Sequence, residues 1–382
     1  IALQRTLGRD VAADHLLILP KRRTPQTGLN IRSLSLHICA VRATEIQPRW
    51  RADAVSNKGV SSVTSHCFNM LLVPWPDRVS PKQFREVCAR PKEMRNMAGD
   101  RFGFMTYRSP ERDTGDLLSW VGRLLDRAKA SCEKIDAMVM PEGALTPDEF
   151  DVLARELNKD AWDVMLIAGV AREAKAGTSP GDNFMGFVSP RQLPIRQHKH
   201  HRWQLTREQI VQYHLGSALS PSKCYWEYIP VRERQVNFIQ TAPWLLVAPL
   251  ICEDLARPDP VGEVIRAVGP DLVIALLMDG PQLANRWAAR NAVTLADDPG
   301  CAVLSLTSAG MVDLSNIGRR DARRVIALYK DPVTGLKEIE LPRDKEAILL
   351  TLSREPRIEW TADGRKEEVL DSHPVLSGWY PV

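Results

Sequence analysis

The 382-residue chain has no apolar run approaching the roughly 20 residues needed to cross a bilayer, and no charged, apolar and small-residue succession that would mark a signal peptide. Its seven cysteines are scattered and include no C-x-x-C pair, which fits a reducing compartment and a cytoplasmic protein. The formal charge of +4 is small for this length, so composition points neither to a DNA-wrapping surface nor to a polybasic membrane anchor. Phosphate-cradling P-loops, glycine fingerprints opening a helix after a strand, internal repeats and low-complexity tracts are all lacking. Downstream of Cys252 the only histidine is His373, in a polar tail, which argues against Cys-His nucleophile arrangements of the papain or glutaminase kind.

What is present is 44% hydrophobic content, enough for a large α/β core. From about residue 68, short β-type runs alternate with helical periodicity. The run Phe68 to Pro76 is a strand, Leu117, Val121, Leu124, Leu125 and Ala128 form one helix face, and Met138 to Met140 begin a strand that leads to Glu142. Thr146, Pro147 and Glu149 predict a capped helix start, and Thr206 with Gln209 predict another. Strands are expected at 164–171, 183–188, 244–251, 272–278, 301–307, 325–329, 338–341 and 347–352. Residues 1–66 carry one apolar run, 34–41, and many arginines. They are expected to be an extension or linker, and the absence of an initiator methionine suggests a piece of a longer polypeptide.

Three side chains carry chemistry. Cys252 closes the apolar run WLLVAPLI, Glu142 follows Pro141 at the end of another run, and Lys199 lies in the basic segment LPIRQHKHHRW. Strand ends are where α/β proteins place reacting groups. A carboxylate, an ammonium and a thiol are the parts needed for acyl transfer from an amide or nitrile. Taken singly, each has a plain reading, as core filling, a solvated turn acid or a surface base. His198, His200 and His201 with His214 or Cys224 suggest zinc, but their spacing lacks a structural-zinc pattern, so no metal is expected. Arg319, Arg320, Arg323 and Arg324 read as a solvated edge, with nucleic-acid contact as the alternative.

In that order and context, the residues resemble the nitrilase superfamily of carbon-nitrogen hydrolases. Glu142, Lys199 and Cys252 match its three catalytic positions, and ICEDLARPDPVGEVIRAVGPDLVIALLMDG is similar to its nucleophile strand, helix and following strand. Trp287 stands where the family has a tryptophan opening the next helix, and the likeness spans roughly residues 67 to 355. It implies an α/β fold, a nitrilase-like αββα sandwich over 67–382 with the N-terminal extension and insertions, in which Glu142 acts as general base and Lys199 with the backbone amide of Glu253 holds the oxyanion. Glu208 is a candidate for the second glutamate found near the lysine, although a glutamate in a helix's first turn is favoured by the dipole alone. The implied activity is hydrolysis of an amide or related carbon-nitrogen bond through a thioester. It requires no cofactor, and the implied assembly is a homo-oligomer through the helix after Cys252. RVIALYKDPVTGLKEIELP, EWTADGR and FNMLLVPWP are also similar to nitrilase-like domains fused to reverse transcriptases in bacterial antiphage defence. That suggests an alternative, a non-hydrolytic assembly or sensing module.

Overall fold

The computed structural model describes residues 16–24, 35–42, 46–51, 66–87, 101–157, 162–175, 179–190, 192–231, 234–358, 360–365 and 371–382. Two seven-stranded sheets face each other. Across its width the first runs β10 (Ile195–His198), β9 (Asp182–Val188), β8 (Met165–Arg172), β7 (Ala137–Leu145), β4 (Cys67–Leu72), β19 (Ile348–Arg357) and β20 (Asp371–Pro381). The second runs β18 (Gly335–Glu340), β17 (Val325–Asp331), β16 (Ala302–Thr307), β15 (Leu272–Leu277), β14 (Leu245–Ile251), β13 (Arg234–Ala242) and β3 (Ile46–Arg51). The centres are parallel, β4–β7–β8 in one and β14–β15–β16 in the other, with antiparallel strands flanking them.

Alternation along each strand decides which layer a side chain joins. Phe68, Met70 and Leu72 of β4, with Ala137 and Val139 of β7, enter the core between the sheets. Leu71, Met138 and Met140 point the other way, onto α1 (Thr114–Lys129) and α2 (Pro147–Leu157), which bury Leu117, Val121, Leu124, Phe150 and Leu153 there. Burying each such side chain contributes on the order of 1.5–3 kcal/mol. In the α2 capping box, Thr146 Oγ1 accepts from the Glu149 amide at 3.3 Å and Glu149 accepts from the Thr146 amide at 2.8 Å. On the second sheet lie α5 (Glu263–Val268) and α6 (Trp287–Asp297), anchored by Val264, Val268, Ala288, Ala292 and Leu295. The architecture is a four-layer αββα sandwich.

Within 1–66, β3 pairs in parallel with β13 as an edge strand of the second sheet. A hairpin of β1 (Leu16–Pro20) and β2 (Ile38–Arg42) packs on α5, where the Arg22 amide donates to the Val268 carbonyl at 2.7 Å. Arg23 is fully buried against Asp271 at 2.5 Å. Of the apolar run 34–41, residues 38–41 belong to β2, and residue 34 lies outside the described residues.

Two further stretches, one before α1 and one between Lys199 and Cys252, form one layer. β5 (Phe84–Val87) and β6 (Phe102–Tyr107) precede α1; β11 (Gln204–Leu205) and β12 (Cys224–Glu227) lie between Lys199 and Cys252. They join as a four-stranded sheet, with β12 parallel to β6. α3 (Arg207–Gln212) has the Thr206–Gln209 capping box expected of it. This roof is tied down by Trp203, Ile210, Tyr213 and Tyr225, which cluster with Met278 and with Met311 of α7 (Ala309–Ser315).

Candidate active site

Glu142 does not stand at the end of its strand, as the sequence suggests, but at an irregularity inside β7. The pairing with β8 breaks between Met140 and Leu145, and Gly143 adopts φ +66°. The displaced backbone presses on β8, where a Cβ on Gly169 would lie 2.4 Å from Glu142 Cα, so glycine is required there. The displacement brings the Glu142 carboxylate to Lys199 and Asn183.

Lys199 follows directly on β10, which ends where the chain turns to meet Asp254. The amides of His200 and His201 both donate to the Asp254 carboxylate at 3.1 Å, and His201 Nδ1 approaches it at 2.9 Å. Asp254 belongs to α4 (Glu253–Ala256), the turn that begins at Cys252, so a single buried carboxylate joins the lysine turn to the cysteine turn. His198 pairs instead with Asp182 at 2.9 Å, and His200 Nε2 lies 2.8 Å from the Gln235 carbonyl. Among the described residues, no group of three His, Cys, Asp or Glu side chains is placed to hold a metal ion.

Cys252 closes β14 in a sharp turn, φ 42° and ψ −104°, a conformation costly for a side-chain-bearing residue. Its amide donates to the Leu276 carbonyl at 2.9 Å, locking the turn to β15. The residue is buried within the core.

Glu142 and Lys199 share one enclosed cluster, and the charges of both act on Cys252. Lys199 Nζ donates to Glu142 Oε1 at 2.7 Å and to Glu227 Oε2 at 2.8 Å. Asn183 Nδ2 bridges the same carboxylates, 2.8 Å from Glu142 and 2.7 Å from Glu227. One ammonium thus serves two acids. Burial, then Glu227, raises the Glu142 carboxyl above its ordinary range, with Lys199 and Asn183 opposing. Burial alone would depress Lys199, but Glu142, Glu227 and Cys252 hold it well above the usual ammonium value. Burial and the charges of Glu142 and Asp279 push the Cys252 thiol well up, against the pull of Lys199 and the Met278 amide. The resting sulfur is therefore a thiol. Glu142 Oε2 is buried and has no hydrogen-bond partner among the described residues.

The structure does not bring Glu208 to the cluster. It is exposed in the first turn of α3, and the second carboxylate is Glu227 of β12. The signal for Glu227 lay in its context, CYWEY, since an acid inside an aromatic β-type run needs a partner when it folds. The Glu253 carboxylate pairs with Arg257, which leaves its backbone as the part relevant to Cys252. Trp287 opens α6 and donates its indole N–H to Asp279 at 2.9 Å. In the arginine cluster, Arg323 pairs with Glu338 and Glu340, and Arg324 with Asp313.

Asn183 gives a direct test of this electrostatic arrangement. Asn183→Leu removes a donor shared by two carboxylates, and hydrogen bonds to charged groups contribute about 1.5–3 kcal/mol. The Glu142 carboxyl then rises further, and a group that must ionise to act as a base loses activity from the acid side. The acid limb of the pH–rate profile, or of the pH dependence of Cys252 alkylation, is expected to move up by about 1–2 pH units. An unmoved limb would show that Asn183 does not hold Glu142.

Between the cluster and the roof lies a cavity of about 20 Å³, room for about one water molecule. Glu142 and Asn183 line it from one side, and Glu227, Tyr107, Trp203 and Tyr228 line it from the roof.

No protein-family model matches this chain, and no curated protein matches it. Solved structures similar to it include Nit3 of Saccharomyces cerevisiae, described as a member of branch 10 of the nitrilase superfamily, at 14% identity over 76% of this chain and 91% of that one, TM-score 0.46. A carbon-nitrogen hydrolase from Helicobacter pylori G27 is similar at 11% identity over 75% and 89%, TM-score 0.42. An amidase from Nesterenkonia sp. AN1 is similar at 14% identity over 77% and 93%, TM-score 0.41.

Proposed function

We propose that the chain is a cysteine-dependent hydrolase of a carbon-nitrogen bond in a small amide or related compound, acting through a thioester. One observation carries this reading. A buried glutamate and lysine, bonded to each other at 2.7 Å, act electrostatically on a cysteine held in a strained turn at a strand end. In the proposed sequence Glu142 takes the thiol proton as Cys252 sulfur attacks the amide carbon. Lys199 and the Glu253 amide stabilise the tetrahedral oxyanion; each such donor contributes about 3 kcal/mol. Glu142 then returns the proton to the departing nitrogen, which leaves as ammonia or an amine. The same carboxylate activates the water that cleaves the thioester. Glu227 and Asn183 hold the base and the ammonium in place. Any amide larger than a water molecule enters only when roof side chains move aside.

The experiment is a screen of the purified chain for ammonia release from small aliphatic amides and ω-amides of dicarboxylic acids. Release that depends on Cys252 supports the reading, and none across the panel contradicts it. The narrow cavity is the observation that favours the second reading, a non-hydrolytic assembly or sensing module. A homo-oligomer through α5 and fusion to a reverse transcriptase remain proposals drawn from the sequence resemblance alone. No helix among the described residues is long and apolar enough to cross a membrane.

A further inference from the structure

A second cavity, of about 450 Å³, is lined by none of the residues that line the first. Small-molecule sites occupy about 300–1,000 Å³. It lies where β4, the neighbour of β7, gives way to Val73 and Pro74, and where α7 follows β16. The loop after β4 is fixed to α7 by hydrogen bonds from the Ala309 and Gly310 amides to the Pro74 and Pro76 carbonyls, at 2.7 and 2.9 Å. Val73, Pro74, Ala309 and Leu341 give the cavity an apolar floor. Trp75 and Trp120 form a corner, ring centroids 5.2 Å apart, and the Arg112 guanidinium rests 3.7 and 3.8 Å from those centroids.

The charges on the wall do not cancel. Asp313 is taken by Arg324 at 3.3 Å, and Glu346 by Arg127 and by the Trp120 indole N–H at 3.1 Å. Asp77 acts on Arg112, which also feels Glu346 and Glu149. Arg78, Arg343 and Lys345 also line the cavity, contributed by two separate loops, and none of them has an ion pair among the described residues. Over the whole lining, five cations, Arg78, Arg112, Arg324, Arg343 and Lys345, face four acids, Asp77, Asp313, Asp344 and Glu346. One cation therefore remains in excess over an apolar floor with an indole wall. A phosphate group carries close to two negative charges near neutral pH and accepts the forked N–H groups of arginine.

We propose that this cavity binds the phosphate group of a small molecule, either inorganic phosphate or a mononucleotide whose base lies on the apolar floor. The site is distinct from the Glu142–Lys199–Cys252 cluster and does not depend on turnover there. Isothermal titration of the full chain with inorganic phosphate, adenosine monophosphate and adenosine tests it. The expected result is saturable binding of phosphate or the nucleotide that weakens tenfold or more in an Arg343→Gln/Lys345→Gln double variant, with adenosine silent. These residues lie in a surface turn, and Cys252 alkylation at the wild-type rate in the variant shows the fold intact. Tighter binding of the nucleotide identifies a nucleotide site, and equal binding identifies inorganic phosphate. No saturable binding of either up to 10 mM, equal affinity in the double variant, or adenosine binding as well as its monophosphate would each overturn the proposal.

Discussion

Cys252→Ala is expected to lower ammonia release from a cognate amide by on the order of 10⁴-fold or more, because the covalent route disappears with the sulfur and no other nucleophile replaces it. The side chain is buried and packed in the core between the sheets, but Cys to Ala removes only one heavy atom at the mouth of a turn. The fold is held independently by the Cys252 amide bond to Leu276 and by Asp254 gripping the lysine turn. Thermal unfolding should therefore shift little while turnover vanishes. The measurement is ammonia release beside a melting curve on the same preparation. Undiminished release by a folded Cys252→Ala protein would remove the assigned nucleophile.

Lys199→Met is expected to do two things at once. Methionine fills similar apolar volume but leaves Glu142 and Glu227 facing each other without their counter-ion, and breaking a buried pair from one side costs about 3–5 kcal/mol. The pH dependence has a definite sign. In the wild type the folded Lys199 value is raised, so its contribution is present below the ordinary ammonium value and is lost only as pH rises through the folded one. In the variant the folded value of the Glu142 carboxyl rises further. The deficit is then largest above that value and shrinks as pH falls and the Glu142 carboxyl takes up a proton. The melting temperature of Lys199→Met should lie furthest below wild type near pH 8 and approach it near pH 5, with turnover lost throughout. A deficit independent of pH would mean that the lysine does not neutralise this pair.

The parts of the fold legible in the sequence were those set by local pattern. The continuous apolar runs that became β14, β15 and β16, the period of α1 and the capping boxes at Thr146 and Thr206 all specify their elements within a few residues. The αββα class follows from them together with the family resemblance. What could not be read depended on distant pairing. β5, β6 and β12 are short and separated by long connections, and they become a sheet only because β12 finds β6 across more than a hundred residues. β3 likewise gains its place only through β13.

The same division holds at the site. Glu142 and Cys252 each followed an apolar run and Lys199 stood in a marked basic segment, so all three were visible; the displacement within β7 was not, because it depends on Gly169 in the neighbouring strand. Glu208 drew attention by its nearness to Lys199 in the chain, yet helix geometry turns it to solvent, and Glu227 arrives with the roof. Asn183 and Asp254 act by bridging segments tens of residues apart, a role that no local pattern marks.

The claim on which the account rests is that Cys252 forms a covalent thioester within reach of Glu142 and Lys199. Intact-mass spectrometry of the chain acid-quenched during turnover of a small amide, followed by peptide mapping, measures it directly. The account predicts an acyl increment on the peptide carrying Cys252, lost in Cys252→Ala and accumulating in Glu227→Gln if deacylation is slowed. Ammonia release at a measurable rate with Cys252 never modified, or an acyl group found on another residue, would contradict it.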